Sequence, residues 1–115
     1  MKVIRSKNEK ISVKEKYLMS MNPEIRCMRD AEGMNVPVVN WMLYSDTDKD
    51  GNEQTLLSIL SEENVAYATN SRTFIESFAT LCDMFAESGE EITAVKVIGG
   101  QSKAGRHFIT CAYAE

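Results

Sequence analysis

Between Arg72 and Glu87 the apolar residues Phe74, Ile75, Phe78, Leu81, Cys82 and Phe85 fall three and four apart. That spacing lays them along one face of a helix. Asn70 or Ser71 supplies a cap at its start, and Ser88-Gly89 ends it. Most of the remaining apolar content sits in short runs rich in β-branched and aromatic residues, the composition of strands. Three such runs precede the helix and two follow it.

The first run, residues 34–45, is apolar on both faces. It predicts a long strand that bends to serve two sheet surfaces, with Pro37 at an edge or bulge near its start. Residues 53–60 form the second strand, with Leu57 and Ile59 on one face, and residues 65–69 the third. Residues 92–98 and 107–113 flank a glycine-containing polar link and read as a closing hairpin. One helix between the third and fourth of five strands is the OB-fold plan. The expected fold class is therefore mainly β with one or two helices: a five-stranded OB-fold barrel, its helix between strands 3 and 4, with a short N-terminal helical extension. A β-sandwich fragment or another α+β fold fits the same order less neatly.

That extension occupies residues 1–29, leaving 30–115 for the OB-fold domain. Residues 1–10 read as a flexible polar tail. Ser12-Val-Lys-Glu15 is a capping-box pattern opening a helix to about Met21, with Val13, Tyr17 and Met21 at helical spacing. Asn22-Pro23 interrupts it, and Pro23 is expected to start one further turn through Met28. Residues 30–33 read as a turn. Six cations against two carboxylates give residues 1–16 a charge of +4, so the other 99 residues carry −8 of the chain's net −4. Net acidity alone counts against nucleic acid. A local basic track on an acidic protein still binds phosphate, because screening limits repulsion from charges beyond roughly 10 Å.

Several classes are disfavoured. No apolar run reaches the about 18 residues of a membrane span, and the N-terminus lacks a secretory apolar core, so a cytoplasmic protein is expected. Three scattered cysteines, Cys27, Cys82 and Cys111, with no Cys-x-x-Cys, argue against a disulfide frame or a cysteine zinc site, and Cys82 and Cys111 read as buried thiols. His107 is the single histidine. Asp46-x-Asp48-x-Asp50-Gly51 imitates the start of a calcium loop, but Leu57 stands where the bidentate Glu belongs, so a polar β-turn is expected. No catalytic constellation, metal or cofactor is expected.

The hairpin link, Gly99 to Arg106, holds three glycines and two cations. Such a loop can lay amides and cations along a phosphate chain, or it can be a mobile surface loop with solvated cations. Trp41 is expected in the core. Tyr44 and Tyr67 lie near polar turns and are better placed to stack on bases.

Four stretches resemble small single-stranded-DNA-binding proteins of bacteriophages and mobile elements of Gram-positive bacteria, of the protein-primed replication type. They are Trp41-x-Leu-Tyr44 before an acidic turn, Thr55-Leu-Leu-Ser-Ile, Tyr67-Ala-Thr-Asn-Ser71-Arg-Thr-Phe74, and Lys96-Val-Ile-Gly-Gly-Gln-Ser-Lys-Ala-Gly-Arg106-x-Phe-Ile-Thr. The resemblance covers about residues 30 to 113 and implies an OB-fold that binds single-stranded DNA without sequence preference or catalysis. On that reading Lys103 and Arg106 contact phosphate, Lys96 and Arg72 are weaker phosphate candidates, and Tyr44 and Tyr67 stack on bases. The partner is single-stranded DNA in a bacterial host cytoplasm, and self-association is one role open to residues 1–29. The alternative is an OB-like protein-interaction module without nucleic-acid binding. A small enzyme or nuclease subunit is a third reading, further behind.

Overall fold

Alternation along one strand sets the plan of the molecule. In the strand β4, Asn40–Thr47, Trp41 and Leu43 point to one side while Met42 and Tyr44 point to the other. Both sides are apolar, so the sheet that contains this strand is covered twice. The computed structural model describes residues 1–114. Its elements run β1 (Lys2–Ser6), α1 (Val13–Ser20), β2 (Arg26–Cys27), β3 (Asn35–Pro37), β4, β5 (Glu53–Leu60), β6 (Ala66–Thr69), α2 (Arg72–Glu87), β7 (Ala94–Gln101) and β8 (His107–Tyr113). Short 3-10 turns occupy Met28–Ala31 and Glu62–Asn64. The molecule is mainly β with two helices, as expected.

Two sheets form. A five-stranded sheet has the order β1-β4-β5-β6-β2, and a three-stranded sheet has the order β3-β7-β8. β4 and β5 pair antiparallel from Asn40↔Leu60 to Thr47↔Glu53. β7 and β8 form the closing hairpin, from Val95↔Tyr113 to Gln101↔His107. The main core lies where the two sheets meet α2. Trp41, Leu57, Ile59 and Tyr67 of the larger sheet pack there with Phe74 and Phe78 of the helix and Val36, Val95, Val97 and Ile109 of the smaller one. Phe78 meets Trp41 edge-on, with ring centroids 5.3 Å apart. A second, smaller core lies on the opposite face, where α1 brings Met19 onto Met42, Tyr44, Leu60 and Ala66.

The helix α2 begins and ends where its periodicity predicts. Ser71 caps it by accepting from the Phe74 N–H at 3.3 Å, and Gly89 follows with φ +72°. The N-terminal cap also forms: Ser12 Oγ accepts from the Glu15 N–H at 3.1 Å. The Glu15 carboxylate in turn accepts from Asn40 Nδ2 at 2.8 Å, tying α1 to the start of β4. That amide bond, with the bond from Ser12, holds the Glu15 carboxyl below its ordinary value.

Four expectations need correction. Residues 1–10 are not all a flexible tail: Lys2–Ser6 forms β1, because its backbone fills the otherwise unpaired edge of β4. Pro23 starts no helical turn. The Asn22 side chain accepts from the Glu24 N–H at 3.1 Å, and the chain then extends so that Arg26–Cys27 pairs in parallel with β6. The long strand over residues 34–45 does serve two sheets, but it is interrupted at Val38–Val39 and becomes β3 and β4. Finally, β7 runs on through Gly99 and Gly100 to Gln101, which shortens the hairpin tip to residues 102–106.

Candidate nucleic-acid interface

A groove of about 600 Å³ opens between the β2 end of the larger sheet and β8 of the smaller one. Leu56, Ala68 and Thr69 lie in it from the sheet, Arg26, Cys27 and Arg29 line one side, and His107 and Phe108 line the other. Asn70 and Ser71, where the chain turns into α2, also line it. Its lining holds two arginines and a histidine and no carboxylate, on a chain of net charge −4. Positive charge is thus concentrated where a concave surface can focus it.

The local sequence explains each wall. Arg26 and Arg29 flank Met28, which is fully buried in the main core. The buried methionine fixes the short strand and the following 3-10 turn, and the arginines are left exposed on either side. On the far wall, alternation along β8 buries Ile109 and Cys111 and turns Phe108 to the other face of its sheet. Phe108 pairs with Gly100 across the hairpin. A Cβ on Gly100 would meet the Phe108 ring at 2.8 Å, so the glycine makes room for the ring edge. Gly99 does the same for Glu32, whose carboxylate occupies the space of a Cβ and contacts His107 Nε2 at 2.9 Å. These two glycines act less as hinges than as seats for neighbouring side chains.

The hairpin tip is ordered. Ser102 N–H donates to the Arg106 carbonyl at 2.9 Å, Gly105 N–H donates to the Ser102 carbonyl at 2.9 Å, and Gly105 has φ +81°. Arg106 N–H also donates to Ser102 Oγ, at 3.2 Å. Lys103 and Arg106 are exposed at this tip. None of the six residues singled out in the sequence lines the groove itself. Arg106 and Arg72, however, directly follow or precede lining residues: Arg106 adjoins His107, and Arg72 adjoins Ser71. Arg72 opens α2, whose first turn contains no acidic residue, so its charge adds to the positive end of the helix dipole. Lys96 is exposed on β7, between Asn35 and Ala112 of the neighbouring strands, away from the groove.

The two tyrosines are placed differently from the expectation, which had both rings open to bases. Tyr67 belongs to the main core and Tyr44 to the second core, with 8% and 3% exposure. The cause is strand parity: Tyr67 sits on the α2 side of the larger sheet, and α1 covers the side that holds Tyr44. The Tyr44 hydroxyl lies within hydrogen-bond distance of Ser58 Oγ and the Met19 carbonyl, and burial pushes its pKa up, with the Ser58 bond opposing.

The ion pairs divide the cations into two classes. Arg5 bonds Asp83 at 2.9 Å and stands over Trp41, 5.6 Å from its ring centroid. Lys7 faces Glu91 at 3.6 Å. These basic-arm residues fasten β1 to the end of α2 and the segment after it. Among the described residues, Arg26, Arg29, Arg72, Lys96, Lys103 and Arg106 have no carboxylate within 4.0 Å. Like Lys2, Lys10, Lys14, Lys16 and Lys49, which also form no ion pair among the described residues, they are left for an external anion. The Asp46–Asp50 loop has its own structural use: the Asp48 carboxylate accepts from the Asp50 and Asn52 N–H groups, both at 2.9 Å. Cys82 and Cys111 are buried thiols, as expected, and Cys27 is exposed.

The family described as phage single-stranded DNA-binding protein matches residues 20–113. This chain belongs to that family. The matched span includes both walls of the groove, α2 and the hairpin, and begins at the last residue of α1. Arg26, Arg29 and Phe108, which the reading of the sequence passed over, all fall within this family span. Their signals were present: a pair of basic residues three apart around a methionine, and an aromatic one residue out of phase with buried Ile109. No curated protein and no solved structure matches the chain.

Proposed function

We propose that this member of the phage single-stranded DNA-binding family binds single-stranded DNA without sequence preference and protects strands exposed during phage or mobile-element replication. The observation that carries the proposal is the carboxylate-free groove on an acidic chain, with exposed cations beside it that lack ion-pair partners. We further propose that β3 to β8 with α2 form an OB-fold, in which β3 and β4 together act as the first of five barrel strands. The strand–strand–strand–helix–strand–strand order supports that reading.

In this proposal Lys103 and Arg106 contact phosphates from the hairpin tip. Arg72 and Lys96 contribute more weakly, the first beside a hollow that also holds Glu53 and Glu76, the second from the outer face of β7. Tyr44 and Tyr67 could stack on bases only after a change that uncovers them. For Tyr44 that means lifting α1 from the sheet. Neutralising phosphates releases counterions, so affinity falls with salt in proportion to the number of contacts, with a slope of about −0.7 per phosphate for single strands.

The test is a titration of labelled oligo-dT and oligo-dA at several salt concentrations. Similar affinity for the two, falling steeply with salt, is expected. Absence of binding to either at low salt would discard the proposal and favour a protein partner, the reading to which the net negative charge points.

A further inference from the structure

Resting on that functional reading, we propose that the groove between β2 and β8 is the base-binding channel, with Phe108 as its stacking platform and Arg26 and Arg29 as its phosphate clamps. A nucleotide needs two kinds of surface at once, an aromatic face for its base and donors for its phosphate. This groove places both in one concavity. Phe108 is half-buried, and its ring is seated over Gly100, so its position is fixed before any ligand arrives. Preorganisation of this kind lowers the entropy lost on binding. Arg26 and Arg29 line the same groove, are exposed and, among the described residues, have no carboxylate within 4.0 Å.

The groove also excludes competitors for those arginines. Glu32, whose carboxylate lies against Gly99, is engaged with His107. Leu56 and Ala68 give the lining an apolar part, beside the polar side chains of Gln54, Thr69, Asn70 and Ser71. The volume, about 600 Å³, falls within the roughly 300–1,000 Å³ of sites that enclose small organic ligands.

Cys27 gives the channel an internal reporter. It is exposed on the arginine wall, whereas Cys82 and Cys111 are buried. Uncharged N-ethylmaleimide should therefore modify Cys27 first in the folded protein. Saturation with oligo-dT should slow that reaction at least tenfold if the strand fills the groove. Unchanged alkylation under conditions where oligo-dT is bound would overturn the proposal.

Substitutions provide the second arm. Phe108→Leu keeps an apolar side chain over Gly100 but removes the ring. It should weaken oligo-dT binding about 5- to 150-fold with an unchanged salt slope, and Phe108→Tyr should restore binding. Arg26→Gln with Arg29→Gln should flatten the slope by about 1.4. If the parent protein binds oligo-dT and all these folded variants match it in affinity and slope, the channel lies elsewhere while the functional reading stands. If the parent binds no oligo-dT, the functional reading itself fails.

Discussion

The hydroxyls of Tyr44 and Ser58 lie 3.3 Å apart on adjacent strands, directly beneath the end of α1. Ser58 Oγ donates to the Met19 carbonyl at 2.6 Å, which leaves it free to accept from Tyr44. The last turn of the helix is thus pinned to the sheet by a buried relay. Ser58→Ala removes the shorter link and leaves Met19 with only the 3.4 Å approach of Tyr44. A buried acceptor that loses its partner costs about 1–3 kcal/mol. Urea unfolding of the variant should show a loss of that size. A loss below about 0.5 kcal/mol would mean that the relay does not hold the helix.

The burial of Tyr44 leads to a separate expectation. Tyr44→Leu keeps an apolar side chain under α1 but removes the ring. While α1 stays in place, oligo-dT affinity should remain within about twofold of the parent. A folded Tyr44→Leu protein that loses the 1–3 kcal/mol of a stacked base would show instead that α1 lifts and the ring meets DNA.

The two classes of cation should separate in one experiment. Lys103→Ala and Arg106→Ala each remove a contact from the hairpin tip and should flatten the salt slope by about 0.7, equally for all sequences. Arg5→Gln should leave the slope unchanged and lower stability by about 1 kcal/mol, since an exposed ion pair and a surface cation–π contact are each worth up to about that much. A shallower salt slope for Arg5→Gln would place β1 in the DNA path.

Much of the fold was legible because its determinants are local. The 3-4 spacing from Phe74 to Phe85 defines α2, and β-rich runs locate β5, β6 and β8. Apolar residues on both faces of residues 34–45 foretold that this stretch would serve two sheets. What escaped was tertiary. Nothing in Lys2-Val-Ile-Arg-Ser marks it as an edge strand, because its stabilisation comes from the open edge of β4. The exposure of Tyr44 depends on whether α1 folds over it, and a capping box reveals the helix but not its resting place. The cations Lys103 and Arg106 were legible as exposed tip residues. Arg26 and Arg29 were not, because they join the groove only through a two-residue parallel pairing with β6.

Burial also sets a pH dependence. The thiols of Cys82 and Cys111 are pushed up from the ordinary 9.0 to about 11 and about 12, chiefly by desolvation. The folded state therefore keeps these protons at pH values where the unfolded chain releases them. The corresponding stability is intact below about pH 9 and is lost as pH rises toward 11 and 12. The urea midpoint should fall between pH 8 and pH 10.5, and it should fall less in a double variant carrying Cys82→Ala and Cys111→Ala. Equal slopes for parent and variant would remove the thiols as its cause.

Gly100 offers a test of the groove that leaves every charge and ring in the chain intact. A methyl group there would stand 2.8 Å from the tip of the Phe108 ring. The backbone is not in the left-handed region at this position, so alanine adds no dihedral strain. What must move is the ring. Gly100→Ala should therefore keep stability within about 1 kcal/mol of the parent, the scale of a modest side-chain adjustment. If Phe108 stacks on bases, tilting it away should weaken oligo-dT binding several-fold and leave the salt slope unchanged, because no phosphate contact is lost. Folded Gly100→Ala protein with parental affinity would mean that the seat made for Phe108 serves the hairpin and not the DNA.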